Sequence, residues 1–239
     1  MRGDVRFTDG DRALYATDAS NYRAVPLGVA MPRDADDVVA AVAVARELDA
    51  PVLLRGGGTS LAGQCCNVAL VLDTSRYFNR VLEVDTARRR ARAEPGCVLD
   101  ELRKATQSDG LTFGPDPATH SRCTLGGMLG NNSCGVHSVL SEFYGPGPQT
   151  LHQVEELEVL TYDGARFTVG ATSDGELARI VAAGGRRGEI YAALGALRDK
   201  YADEIRRRFP KMPRRSSGFA LDQLLPENGF NVARALVGT

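Results

Sequence analysis

The chain has 239 residues, of which 43% are hydrophobic and 25% charged, with a formal net charge of -1. That length holds one large domain or two small ones around a sizeable core, and the near-neutral balance gives no global electrostatic case for nucleic acid or an anionic membrane. No run approaches the ~18 consecutive apolar residues of a membrane helix, so no transmembrane segment is expected.

The opening "MRGDVRFTDGDRALYATDAS" carries several acids and no apolar segment, which argues against a secretory signal. Asp34 then caps a predicted helix, "DADDVVAAVAVARELDA", with Val38, Val42, Ala45 and Leu48 on one face. "PVLL" reads as a strand, and "ALVLD" as a second, buried one. Residues 83–85 and 90–94 alternate as a strand pair, and "VLDELRKATQSDG" is a helix stopped by Gly110. From 114 to 147 Gly, Pro, Asn, Ser and Cys dominate, and only "TLGGMLG" has helical character. A loop this long in a compact domain is either functional or disordered, and its dense small and apolar residues favour function. "VEELEVLTYDGARFTVG" reads as a hairpin turning at Asp163-Gly164. A helix follows with Ile190, Leu194, Leu197, Tyr201 and Ile205 on one side, then the basic, exposed connection "PKMPRRSSG". The pattern predicts an α+β or mixed α/β fold. The apolar close, "LPENGFNVARALVGT", suggests a fragment of something longer.

Between the first two apolar strands lies "RGGGTSLAGQ", 55–64. Glycine permits positive φ and close approach of a ligand to the main chain. Successive N–H groups in such a turn form an anion nest, to which Thr59 and Ser60 add hydroxyls. Arg55 either adds charge or pins the loop through backbone carbonyls. The set suits a phosphate or diphosphate; the bland alternative is a flexible turn. Gln64 and Cys65 stand where a mononucleotide loop needs Lys and Ser/Thr, and Leu61 stands where the dinucleotide fingerprint needs glycine.

A second donor-rich stretch is "GPDPATHSRCTLGGMLGNNSCG". Pro115 and Pro117 stiffen the chain and leave Asp116 exposed between them. Gly126 and Gly127 open a short helix whose N-terminus favours an anion. Asn131 and Asn132 pair donors with acceptors, and Asn tolerates left-handed turns. Two such loops suggest one long, polar, flat ligand held at two ends.

"RGGGTSLAGQ", "GPDPAT", "CTLGGMLGNNSCGVHS" and "VEELEVLTYDG", in this order, resemble the FAD-binding domain of the vanillyl-alcohol oxidase (PCMH) type. The branch most resembled is the FAD-linked oxidase group of glycolate oxidase and D-lactate dehydrogenase. The resemblance implies a two-subdomain α+β fold, mixed sheets flanked by helices, over 26–239, with 1–25 as an N-terminal extension. It implies that Arg55, Gly56, Gly57, Gly58, Thr59, Ser60 and Gly63 grip the FAD diphosphate. Pro115, Asp116, Pro117 and Thr119 would line the flavin side. Gly126, Gly127, Asn131, Asn132, Gly135 and Val136 would wrap ribityl, diphosphate and adenine, and Val159 would offer backbone to the adenine edge. Thr59 stands where some members tether FAD through a histidine, which implies non-covalent FAD; Cys123 is the remaining candidate for a thioether.

The five cysteines, Cys65, Cys66, Cys97, Cys123 and Cys134, are odd in number and lack CxxC spacing, so they read as reduced thiols of a cytoplasmic protein with no metal site. No catalytic side chain is assigned: His120, His137 and His152 read as loop or packing residues. Glu155, Glu156 and Glu158 read as a solvated strand face, and the arginines at 88–90 and 206–208 as exposed charge. The resemblance places the substrate groups and proton-abstracting histidine in a C-terminal domain outside this sequence. "SEFYGPGPQTLHQ" departs from the family and resembles a subgroup fused to an iron–sulfur half, implying an iron–sulfur electron acceptor in the parent protein. The implied function is oxidation of a D-2-hydroxy acid to a 2-oxo acid by hydride transfer to FAD. A non-catalytic flavin or nucleotide-binding module is the alternative, and a cell-wall precursor reductase sharing the FAD fold is a weaker third.

Overall fold

The computed structural model describes residues 1–212, 214–216 and 218–239. Pro213 and Ser217, two positions of the expected basic connection, lie outside the described residues. The chain divides into two units, Met1–Met128 with Tyr162–Gly164, and Leu129–Thr161 with Ala165–Thr239.

The first unit runs β1 (Asp4–Arg6), α1 (Asp9–Leu14), β2 (Gly28–Met31), α2 (Ala35–Glu47), β3 (Val52–Arg55), β4 (Leu70–Asp73), β5 (Val81–Asp85), β6 (Arg90–Ala93) and α3 (Leu99–Thr106), and α4 (Leu125–Asn131) begins in it. A four-stranded sheet has the order β1-β2-β4-β3. β2, β4 and β3 are parallel, and β1 is an antiparallel edge, so residues of the expected extension 1–25 belong to the sheet. Val29, Met31 and Val71 form its core with Tyr15, Leu53 and Tyr77 packed against them. β5 and β6 form a separate antiparallel pair.

Asp34 caps α2, its carboxylate accepting from the Asp37 N–H at 3.0 Å. The buried face of α2 is Asp37, Ala41, Val42 and Ala45, whereas Leu48, expected on that face, is 73% exposed. Leu48 is the C-cap, and Asp49 after it has φ 51, so the chain has left the helical stripe there. Asp37 is buried because it accepts the backbone N–H groups of Gly3 and Arg33 at 2.9 and 3.0 Å. Burial pulls its pKa up, but these donors outweigh it and hold it below the usual value. α3 passes into a 3-10 turn at Gln107–Asp109, and Gly110, the expected stop, closes that turn in the left-handed region at φ 66.

The second unit holds α5 (Leu140–Tyr144), α6 (Thr150–Gln153), β7 (Leu157–Leu160), β8 (Arg166–Val169), α7 (Asp174–Ala183), α8 (Gly185–Arg208) and α9 (Val232–Ala235). The 114–147 stretch is more helical than expected, with a 3-10 turn at Val136–Val139 and α5 following α4. Val136, Val139, Leu140 and Phe143 have helical spacing, which the surrounding glycines and prolines mask in the sequence. The hairpin β7–β8 pairs as expected, Val159 opposite Phe167. α8 buries Gly188, Tyr191, Gly195 and Ile205, with Leu194 and Leu197 partly packed, while Tyr201 is 45% exposed, against expectation. The buried face is centred on small residues: a Cβ on Gly188 would sit 3.0 Å from the Ile180 carbonyl of α7, so close helix packing replaces bulk. The C-terminal stretch supplies much of this unit's core, through Ala220, Leu224, Phe230, Val232, Ala233, Ala235 and Val237.

Candidate functional site

In the first unit, β3 and β4 are parallel neighbours, paired from Val52↔Leu70 to Arg55↔Asp73. A parallel pair needs a long crossover, usually a helix. Here the glycine-rich chain of 56–69 makes that connection without one, starting at the carboxyl end of β3, where ligands bind in open parallel sheets.

Arg55 resolves its two readings in favour of pinning. Its guanidinium donates to the carbonyls of Thr17 and Cys65 at 2.8 Å and of Tyr15 at 3.4 Å, and lies 5.4 Å from the Tyr15 ring centre. Each glycine has its own reason. A Cβ on Gly56 would overlap the Thr124 side chain, and one on Gly57 the Arg122 carbonyl, so both permit the close approach of the second loop. Gly58 and Gly63 have φ 64 and 83, the region disfavoured for residues with a Cβ. The N–H groups of Gly57, Gly58 and Thr59 make no hydrogen bond among the described residues, leaving successive donors for an anion. Ser60 is buried, and its hydroxyl accepts from the Cys65 thiol at 3.3 Å.

The second loop is fixed from α3. Arg103 donates to Asp116 at 2.7 Å and to the carbonyls of Phe113 and Pro115 at 3.2 and 3.1 Å. Asp116 is therefore ion-paired, with a side chain only 20% exposed, rather than exposed and directed outward. Pro115 is buried, Pro117 half-buried and Thr119 exposed. The expectation that the α4 N-terminus offers free donors is corrected. The Leu125 and Gly126 N–H groups donate to the carbonyls of Cys97 and Pro95 at 2.8 and 2.7 Å, and that of Gly127 to the Thr124 hydroxyl at 3.3 Å. Cys123 is buried with Leu99 and Met128, and burial pushes its thiol pKa up, which disfavours a thiolate there. His120 contacts Asp100, Nδ1 to carboxylate 2.8 Å.

The remaining expected site residues lie in the second unit. Asn132 adopts the left-handed conformation, φ 44. Its side chain is committed internally, Nδ2 donating to the Arg215 carbonyl at 2.9 Å and Oδ1 accepting from the Leu151 N–H at 3.0 Å. Asn131 ends α4. The Gly135 N–H donates to the Ser138 hydroxyl at 2.7 Å, Val136 is 79% exposed, and Val159 sits mid-strand in β7. A cleft of about 560 Å³ between Gln149, His152, Phe209 and Asp222 contains none of the expected site residues. Sequence reasoning missed Arg103, whose signal was a cation ending a helix ten residues or so before "PDP", and the 15–22 segment, which carried no glycine-rich signal.

Residues 26–170 match the family described as FAD binding domain. The chain belongs to that family. Among curated proteins it is 34% identical to the D-2-hydroxyglutarate dehydrogenase of Pseudomonas putida over the whole chain and 24% of the relative. It is also 34% identical to the glycolate oxidase subunit GlcD of Escherichia coli, over 70% of the chain and 33% of that protein. The chain thus spans about a quarter to a third of these relatives. Among solved structures, 6-hydroxy-D-nicotine oxidase from Arthrobacter nicotinovorans superposes with TM-score 0.62 at 24% identity, covering 74% of this chain and 38% of that one, so the two share the fold. The expected α+β FAD-binding architecture is the one found. The residues present fit the cofactor: a diphosphate requires convergent donors and backbone access, and the 56–60 turn has both.

Proposed function

We propose that this chain holds FAD, non-covalently, in a flavin-dependent dehydrogenase that oxidises a D-2-hydroxy acid of the lactate, glycolate or hydroxyglutarate class to the 2-oxo acid. The observation that carries the reading is the glycine turn with unpaired N–H groups at the carboxyl end of β3, packed against the second loop. When bound, FAD supplies hydride acceptance.

The chain's own residues hold and orient. The N–H groups of Gly57, Gly58 and Thr59 neutralise diphosphate charge, with Ser60 and Gly63 shaping the turn behind them. Arg55 acts by fixing carbonyls, not by direct charge. Pro115, Asp116, Pro117 and Thr119, stiffened by Arg103, line the flavin side, with Gly126 and Gly127 permitting approach. Asn131, Asn132, Gly135, Val136 and Val159 contribute backbone to the rest of the cofactor. Thr59 at the tethering position and the buried Cys123 thiol support the absence of a covalent bond. The hydroxy acid, its proton acceptor and an iron–sulfur electron acceptor belong to the longer protein. Among the described residues no helix is long and apolar enough to cross a membrane, and reduced cysteines support a cytoplasmic site.

The test is a visible spectrum of the purified protein, reconstituted with FAD and repeated on the supernatant after heat denaturation. Flavin absorbance released to the supernatant is expected. Absorbance retained in the pellet would refute non-covalent binding, and no absorbance after reconstitution would refute the cofactor assignment.

A further inference from the structure

Residues 15–22 precede the 26–170 match to the FAD binding domain family, yet they grip the glycine loop from several sides. The Tyr15 and Thr17 carbonyls accept from Arg55 at 3.4 and 2.8 Å. The Ala19 N–H donates to the Gly58 carbonyl at 3.0 Å, directly behind the unpaired donors. The half-buried Asp18 carboxylate accepts from the Ser20 N–H at 2.8 Å with one oxygen and from the Cys65 N–H at 3.2 Å with the other. The Tyr22 ring fills the space beside Gly63, where a Cβ would come within 2.8 Å of it. Tyr15 also ties the clasp to the sheet, its hydroxyl donating to Asp73 at 2.7 Å.

We propose that 15–22 is a clasp that preorganises the FAD loop, with Asp18 as its main positioning residue. This rests on the reading that the loop holds FAD. A stretch bearing Gly56, Gly57, Gly58 and Gly63 has much backbone freedom to lose on binding, and ordering it beforehand raises affinity without a new ligand contact. Asp18 bridges the 18–20 turn and the far side of the loop, so its two oxygens fix the distance between them. Burial pulls the Asp18 pKa up, but the donors from Ser20, Cys65 and Cys66 outweigh it, so the carboxylate is ionised in its role. A carboxylate near a diphosphate site would by charge alone oppose binding, so the clasp and a plain electrostatic role predict opposite signs.

The experiment compares the wild-type chain with Asp18→Ala and Asp18→Asn. FAD is titrated into flavin-free protein and followed by flavin fluorescence, and hydrogen exchange of peptides covering 56–66 and 190–205 is measured without FAD. Loss of both acceptors in Asp18→Ala is expected to raise Kd about tenfold, and Asp18→Asn, which keeps one acceptor, about threefold. Exchange in 60–66 should accelerate in Asp18→Ala while 190–205 is unchanged. Equal or tighter FAD binding by Asp18→Ala, or unchanged exchange in 60–66, would overturn the clasp. If the wild type binds no FAD, the cofactor reading fails, and the exchange result alone decides whether Asp18 holds the loop.

Discussion

Gly57 and Gly110 both look like loop glycines, but the structure separates them. A Cβ on Gly57 would overlap the Arg122 carbonyl, a backbone atom that cannot rotate away, whereas a Cβ on Gly110 meets nothing within 4 Å. Gly57→Ala must therefore separate the two loops, and it is expected to abolish FAD binding while the second unit stays folded. Gly110→Ala pays only left-handed strain at φ 66, about 1 kcal/mol, and is expected to lower Tm by a few degrees with FAD affinity unchanged. Fluorescence titration and thermal melting of both variants check this; intact FAD affinity in Gly57→Ala would refute the packing role. Arg55 carries the same lesson. Its type announced charge, and its position beneath three carbonyls makes it structural. Cys97, fully buried, has its thiol pushed up to about 11 by burial and then by Glu101 and Glu94, so it is an inert core residue.

At the scale of elements, α6 carries a pH-dependent contribution. His152 is half-buried, and its Nδ1 accepts from the Gln149 N–H at 3.2 Å. Burial, with Arg234 and Arg215 nearby, lowers its pKa from 6.5, so the folded chain keeps it neutral. The unfolded chain binds a proton below about pH 6.5 and the folded chain does not until lower pH, so stability is complete above 6.5 and declines on acidification. Urea melts between pH 7.5 and 5.5 are expected to show this decline, and His152→Gln to flatten it; an equal slope in both would place the effect elsewhere. Elements with local signals were legible in the sequence: the Asp34 cap, the Gly110 stop and the Asp163-Gly164 turn are where their chemistry put them. Elements whose burial depends on distant partners were not. Leu48 and Tyr201 continued an apolar stripe yet face solvent, and Gly188 and Gly195 broke one yet are buried, because the stripe is set by what packs against the helix.

At the scale of the molecule, the two glycine-rich loops were visible because their composition is local, while the 15–22 clasp was invisible because its role is defined by residues far along the chain; Arg103, only 10 to 13 residues from its partners, left the weaker signal of a cation near a helix end. The anion site expected at α4 failed for a similar reason: the Pro95 and Cys97 carbonyls that fill it lie on another segment. The chain spans 24% of the length of its hydroxyglutarate dehydrogenase relative, and no residue in it is assigned to the substrate. FAD-loaded chain mixed anaerobically with D-2-hydroxyglutarate, glycolate or D-lactate is expected to keep its oxidised flavin absorbance. Bleaching by any of these would place a proton acceptor within the 239 residues.

The glycine turn joins two strands that are hydrogen-bonded to each other. Arg55 at its start stands opposite Asp73, and the Thr74 N–H closes back on the Arg55 carbonyl at 3.0 Å. Because the strands are parallel, the loop leaves the ladder at Arg55 and rejoins it at its other end, where Leu70 stands opposite Val52. The distance the loop must cover is therefore set by the length of the paired strands, and the departure of a ligand leaves that span unchanged.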